Sequence, residues 1–527
     1  MARAADRPAR PAALPRAVTL AYFVLCIAVY AQTAPGRILF PDDEIVFQTT
    51  RALWQRGALD IEGIPKRTGE LEGRPDGTFG WAPGRDGKRY GFFGHALSIV
   101  ALPSYGAGVW LAAHAPETWR HAIRSDHYFL HRRSPEADWT RLAVSTTNLW
   151  ITPLCGWLLA RWLLALGFAL RPAMAVALVH AFGTLAWPYS RTLLSEPLSA
   201  VTLVGCAWCI AEFHRATASG ASGRGWALGA GTFAAITVHV HVLNLVALPC
   251  LLGYAVLPLG SRVREPAVRA GLLAALLPAI AGLALLLWGQ WWRYGDAFET
   301  GRYDHYSHWV APGEGLLATL FGPGRSLLLF TPPLLLALPR VRVMLRRVPA
   351  AMWCALAIAL TRWLLVGLRS DWWGGWSIGP RYLVPTIPLL LLPLATWFEP
   401  GGAGSRRARV VLVVTLASSL LLALHLSLHS IFEWMLQLTT TGTPQMNYLR
   451  RSHWLPQAHP VVGFLSLPVD TLGAGALRLA RHGHSGPLLL LAAIAAAGAV
   501  AAWRLAVALR RAPSTAAGGF GMLAPPP

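Results

Sequence analysis

The chain has 527 residues, 54% of them hydrophobic and only 13% charged, with a formal net charge of +21. That balance excludes an ordinary water-soluble domain and makes a bilayer the natural solvent. The positive charge does not point to nucleic acid, because the arginines are spread between apolar stretches rather than gathered on one polar face.

Several stretches of about 20 residues carry no charge, the length that spans a hydrocarbon core. Backbone groups in lipid must hydrogen-bond internally, so such spans are helices or closed barrels. The short alternating segments of a barrel are missing, which leaves an all-α polytopic membrane protein. In chain order the expected spans are 17–36, 142–160, 172–188, 197–211, 225–240, 243–261, 270–288, 326–339, 349–367, 382–398, 410–430 and 486–503, about twelve helices. The first follows a basic head and lacks a cleavage site, so it reads as a retained anchor.

Residues 92–116 are equally apolar, but counting them as a span would move every later arginine cluster outside. Treated as a helix lying at or dipping into the outer surface, they leave the N-terminal arginines, Arg161, Arg171, Arg215, Arg224, Arg262, Arg340, Arg347, Arg406 and Arg511 on one face. The positive-inside rule makes that face cytoplasmic, with both termini there. Five segments then reach the outer side: 37–141, 189–196, 289–325, 368–381 and 431–485. All six cysteines fall in apolar spans; Cys206 and Cys209, a C-x-x-C inside one span, read as small packing residues rather than a redox or metal site.

The first outer segment opens with "FPDDEIVFQTTRALWQRGALD", which sets Asp42, Asp43 and Glu44 at the membrane surface. Pro41 and Asp42 suit a helix start, and acids in a first turn complement the macrodipole. Three adjacent acids exceed what a cap needs. Their crowding predicts at least one raised carboxylate pKa, and a carboxylate there can take a proton from a hydroxyl. Lys88 and Arg89 come just before residues 92–116, either snorkelling at the interface or contacting a phosphate at headgroup level. Tyr90 and His95 follow them as substrate-lining candidates.

In "WPYSRTLLSEPLSA", Ser195 suits an N-cap and Pro197 a first turn. That explains Glu196 and Arg191 only in part; Tyr189 precedes them. The loop between 289 and 325 is dense in Trp, Tyr and acids, beyond an aromatic belt, and resembles a surface for sugar faces or headgroups. Arg325 at its end meets a phosphate or anchors the returning helix. His239 and His241 are two apart, which places them on opposite sides of a strand and about 200° apart on a helix, a poor metal pair.

"SDWWGGWSIGPRYLVP" spans Ser370 to Pro385. Trp372, Trp373 and Trp376 with three glycines make a tight loop, and Arg381 opens the next span. Arginine near hydrocarbon needs a partner. Asp371 is one choice and a lipid phosphate another, since the guanidinium fork donates paired, charge-assisted bonds.

The acids after the first span, the Y-S-R-T-x-x-S-E-P stretch, W-W-R-Y-G-D-x-F-E-T-G and W-W-G-G-W-S-x-G-P-R-Y-L together resemble bacterial relatives of the C-type (GT-C) membrane glycosyltransferases. Protein O-mannosyltransferases and the lipid A aminoarabinose transferase share that fold. The resemblance runs in order to about residue 400. It implies a GT-C-like module over 1–400 including the 37–141 loop with its juxtamembrane helices, a C-terminal membrane region over 401–511, and a disordered tail over 512–527.

The resemblance further implies a polyprenyl-phosphate sugar donor and transfer on the non-cytoplasmic side, usually with inversion. By position it implies Asp43 as the catalytic carboxylate, with Asp42 or Glu44 as the ambiguity and Glu196 as a second acid where relatives often carry Asp. Lys88 or Arg89 would match a phosphate-contacting basic residue, although the Pro-Pro that follows it in relatives is missing here. Donor phosphate would then be held by Arg381, Lys88, Arg89 and Arg325, and substrate lined by Tyr90, His95, Tyr189, Asp371, Trp372, Trp373 and Trp376. The expected partners are the donor, a cell-envelope acceptor (glycan, lipid or protein) and membrane lipids, with no nucleic acid. The expected place is a bacterial inner membrane with the site facing the periplasm. Some fold relatives bind a divalent metal; this sequence shows no closed ligand set, so metal stays open. The rival readings are a transporter, which would place charge near the bilayer midplane, and a ligase or polymerase of lipid-linked glycans.

Overall fold

The computed structural model describes residues 14–65, 78–119, 135–301, 308–375, 377–440, 453–456, 459–466 and 474–513. Trp376 and most of the expected C-terminal tail lie outside them. Among the described residues, eight helices are long and apolar enough to cross a membrane: Arg16–Thr33, Glu136–Ala165, Glu196–Ala218, Val242–Arg264, Pro266–Tyr294, Pro349–Gly367, Arg406–Leu428 and Ser485–Arg511. Each coincides with an expected span.

The other four expected spans are shorter or broken. Residues 225–240 fall in the helix Arg224–Val240. Residues 172–188 divide into Leu170–Phe182 and Ala186–Ser190. Residues 326–339 divide at Pro332 into Leu327–Phe330 and Pro333–Ala337. Residues 382–398 alternate between 3-10 and α turns over Arg381–Thr386, Ile387–Leu390 and Leu392–Trp397. Pro385, Pro388 and Pro393 explain that last pattern, because each removes a backbone donor from the ladder. Residues 92–116 are not among the eight. They form Ala96–Val100 and Leu102–His114, separated at Ala101 just before Pro103.

Small residues let the spans approach closely, the packing mode available where lipid supplies no hydrophobic drive. A Cβ on Gly231 would stand 2.0 Å from the carbonyl oxygen of Ala275, and one on Gly282 would stand 2.5 Å from Ala235. The opposite side of the Pro266–Tyr294 helix is bare, with Leu273, Leu277 and Ile280 all more than 60% exposed, as a lipid-facing surface must be. The first span packs against Ser485–Arg511, where Gln32 Nε2 donates to the Leu491 carbonyl at 3.0 Å.

Segment 37–141 departs from all-α. Besides the helix Pro41–Arg56 it holds two antiparallel pairs, Ile64–Pro65 with Thr78–Phe79 and Trp81–Pro83 with Arg89–Gly91. The second is closed by Asp86, whose Oδ1 accepts from the Lys88 amide at 3.1 Å. This is turn chemistry typical of Asp.

Candidate functional site

Three segments distant in sequence meet where helices end. The first is the start of Pro41–Arg56, with proline in its first turn and Asp42, Asp43 and Glu44 beside it. The second is the run 189–196, which leads into Glu196–Ala218. The third is the glycine-rich loop 374–381. Ser195 does not act as the expected side-chain cap: it is helical in φ and ψ and makes no capping bond.

Arg381 joins the three. Its Nε donates to Glu196 Oε1 at 2.7 Å, and its Nη1 donates to Asp42 Oδ2. Arg381 and Glu196 are buried, while the Asp42 side chain is 28% exposed. Asp371 is therefore not the partner of Arg381. It pairs with Arg369 at 3.4 Å and lies 3.5 Å from the Tyr382 hydroxyl, which donates to it. Asp43 completes the group. It is 2% exposed and its Oδ1 has no hydrogen-bond partner. Burial raises its pKa well above the ordinary carboxylate range. The Leu193 amide opposes the rise, Asp42 adds to it, Arg381 opposes it and Glu196 adds to it. Glu196 Oε2 is likewise buried without a partner.

Glu44 takes a separate place. Arg141 holds it through a paired contact, Nη2 to Oε1 at 2.7 Å and Nε to Oε2 at 3.2 Å, with both side chains buried. This is a fork-on-carboxylate geometry that satisfies both oxygens.

Arg325 is 1% exposed and is spent on the glycine-rich loop. It donates to the carbonyls of Gly379 at 3.1 Å and Gly375 at 3.2 Å, to the Ser377 carbonyl and hydroxyl, and to His453 Nδ1 at 3.4 Å. Burial, then Arg325, keeps His453 well below its ordinary pKa, so it accepts as a neutral ring. Tyr189 pins the same loop by donating to the Ile378 carbonyl at 2.9 Å. Gly374 has φ +74, and a Cβ there would lie 2.8 Å from Arg381 Cβ, so glycine is required for the arginine to pass. Trp372 is buried, with its ring centroid 4.8 Å from that of His453; Trp373 lies 6.1 Å from the same ring.

Lys88, Arg89 and Tyr90 sit on the second hairpin. Lys88 is exposed and 4.0 Å from Asp86. Arg89 donates to the Glu62 carbonyl at 2.9 Å and lies over Trp81. Tyr90 donates to Asp86 at 2.9 Å. His95 precedes the Ala96–Val100 helix with Nε2 buried and unpartnered; burial, then Arg293 and His239, hold its pKa down to about 3. His239 Nε2 donates to the Gly282 carbonyl at 2.9 Å, whereas the His241 ring lies 6.0 Å from Tyr382, beside Arg381.

Sequence reasoning passed over two buried residues, Arg362 and Asn148, and left Arg191 without a partner. Arg362 donates to the Tyr382 carbonyl and to Asn244 Oδ1 at 2.6 Å. Arg191 donates to Thr33, Leu426 and His429 carbonyls, at the ends of two helices. It needs no acid because two helix C-termini each present about half a negative charge. Asn148 donates to the carbonyls of Thr192 and Leu194. An ionisable or amide side chain inside a span is the signal that would have found Arg362 and Asn148.

No family model matches the chain, and no curated protein matches it. Among solved structures it is similar to ArnT from Cupriavidus metallidurans, in the apo state and bound to undecaprenyl phosphate. In both cases 14% of residues are identical, 93% of this chain and 75% of that chain are covered, and the TM-score is 0.47. The Archaeoglobus fulgidus oligosaccharyltransferase is similar over 81% of this chain and 58% of its own, at 11% identity and a TM-score of 0.40. The arabinosyltransferase EmbB from Mycobacterium smegmatis is similar over 91% of this chain and 43% of its own, at 15% identity and a TM-score of 0.41.

Proposed function

We propose that the chain is a membrane glycosyltransferase that moves a sugar from a polyprenyl-phosphate donor to an acceptor hydroxyl or other nucleophile, on the non-cytoplasmic side and with inversion. The observation that carries this reading is Asp43: a buried carboxylate with one open oxygen and a raised proton affinity, beside two further acids that share Arg381. All of them sit where helices begin, at one end of the bundle. A transporter's substrate charges belong near the bilayer midplane instead.

The chemistry follows from those groups. The acceptor oxygen attacks the anomeric carbon opposite the phosphate, and Asp43 takes its proton. The anomeric carbon–oxygen bond breaks, and its electron pair leaves with the polyprenyl phosphate. Fixed cations stabilise that developing charge. Arg381 uses Nε and Nη1 on Glu196 and Asp42 and keeps Nη2 for the phosphate. Arg325 serves by holding the loop that delivers Arg381, not as a phosphate contact. Among the described residues no group of three His, Cys, Asp or Glu is arranged to hold a metal ion.

The test is donor turnover by the full chain in lipid discs. The substrates are a panel of radiolabelled polyprenyl-phosphate sugars with a cell-envelope acceptor fraction. Label passing to the acceptor with wild type but not with Asp43→Asn is the expected result. Absence of both transfer and donor binding across the panel would favour transport and refute the assignment.

A further inference from the structure

Arg362 sits inside the Pro349–Gly367 span and is buried. Its Nε donates to the Tyr382 carbonyl, and its Nη1 donates to Asn244 Oδ1 at 2.6 Å. The first bond follows from a proline. Tyr382 belongs to the 3-10 turn Arg381–Thr386, where a carbonyl pairs with the amide three residues on. For Tyr382 that residue is Pro385, which has no N–H. Arg362 supplies a donor in its place.

Asn244 carries the link onward. Its Nδ2 donates to Ser199 Oγ and to the Thr237 carbonyl, both at 3.0 Å. Its amide oxygen and both amide hydrogens are therefore engaged, which fixes the orientation of the group. Ser199 lies three residues on from Glu196 in the Glu196–Ala218 helix, so it stands one turn along the same face. Arg362, Asn244 and Ser199 are all buried. The chain of bonds thus ties together two elements whose first residues, Arg381 and Glu196, form the 2.7 Å pair of the site. A charged side chain inside a span is costly, and an apolar one would avoid that cost. The bonds, rather than packing, account for an arginine here.

We propose that Arg362 is a positioning residue: by holding the Tyr382 carbonyl on one side and Asn244, with Ser199 behind it, on the other, it sets the Arg381 turn against the Glu196 helix and so aims Arg381 Nη2 at the phosphate. The proposal rests on the reading of Arg381 as the donor-phosphate contact.

The experiment is equilibrium binding of radiolabelled undecaprenyl phosphate to the full chain in lipid discs, with thermal melting run beside it. It compares wild type, Arg362→Met, Arg381→Lys and the double variant. Arg381→Lys keeps a cation for Glu196 but has no fork to aim, so it should bind more weakly than wild type. Arg362→Met should weaken binding about tenfold in the wild-type background. It should leave the affinity of Arg381→Lys nearly unchanged, because it acts through the fork. Loss by the same factor in both backgrounds is a general loosening of the fold and overturns the proposal, as does an unchanged affinity in a folded Arg362→Met. If Arg362→Met loses its melting transition, Ser199→Ala, which removes the Asn244 contact with the Glu196 helix, takes its place under the same criteria. Wild type that does not bind, or Arg381→Lys that binds as wild type does, overturns the phosphate reading of Arg381 and the proposal with it. Weaker binding by Arg381→Lys beside an unmoved Arg362→Met overturns the positioning role alone.

Discussion

Arg381→Ala tests the charge arrangement most directly. At 2.7 Å from Glu196, the Arg381 guanidinium contributes about 6 kcal/mol of attraction at an effective dielectric constant of about 20. Much of this offsets the desolvation of two buried ions. Removing the cation leaves Glu196, 2% exposed, without its hydrogen-bonded cation, a loss of about 3–5 kcal/mol. Asp42 adds little, because its side chain is 28% exposed and screened by water. A second substitution sharpens the test. Glu196→Gln placed on Arg381→Ala removes the stranded charge and should return about 1–3 kcal/mol of coupling. Equilibrium unfolding of wild type, both single variants and the double variant in mixed micelles measures each term. An Arg381→Ala cost below about 1 kcal/mol, or a double variant no more stable than Arg381→Ala, would refute the buried-triad account.

Asp43 makes a pH prediction of definite sign. Its folded pKa is raised, so its contribution to stability is fully present below the ordinary carboxylate pKa and is lost as pH rises through the raised value. The melting temperature of Asp43→Asn should therefore gain on wild type as pH goes from 4 to 8; a constant difference would contradict the burial argument. Transfer should fall by about 10²–10⁴-fold in the same variant, the range for loss of a general base. Gly374→Ala must place an L-residue at φ +74 and a methyl 2.8 Å from Arg381 Cβ. It should cost about 1–2 kcal/mol from the backbone alone and depress transfer, read by melting and by radiolabel assay. Glu44→Gln breaks the pair with Arg141 and should lower the melting temperature while leaving the pH dependence of any transfer activity in place.

Much of the fold was legible because hydropathy is a local property. A run of apolar residues must be helical in lipid whatever lies beside it, and eight of the expected spans are long apolar helices. The broken ones were less legible because length and composition do not weigh proline: 382–398 reads as one stretch but holds three prolines that interrupt its hydrogen bonds. The small strands of segment 37–141 carry only two or three residues each, too short for any period to show.

The sequence by itself determined which charged groups flank the apolar spans: three acids after the first span, Glu196 ahead of another and Arg381 ahead of a third. It did not determine their partners. Arg381 passes over Asp371, ten positions away, for Asp42 and Glu196, 339 and 185 positions away. Glu44 turns to Arg141, 97 positions on, and Arg325 closes on carbonyls of a loop some fifty residues later. Burial removes water as a competitor, so each charge must be met by whichever group packing brings within about 3 Å. That choice belongs to the arrangement of helices in three dimensions, and only the tertiary structure could make it.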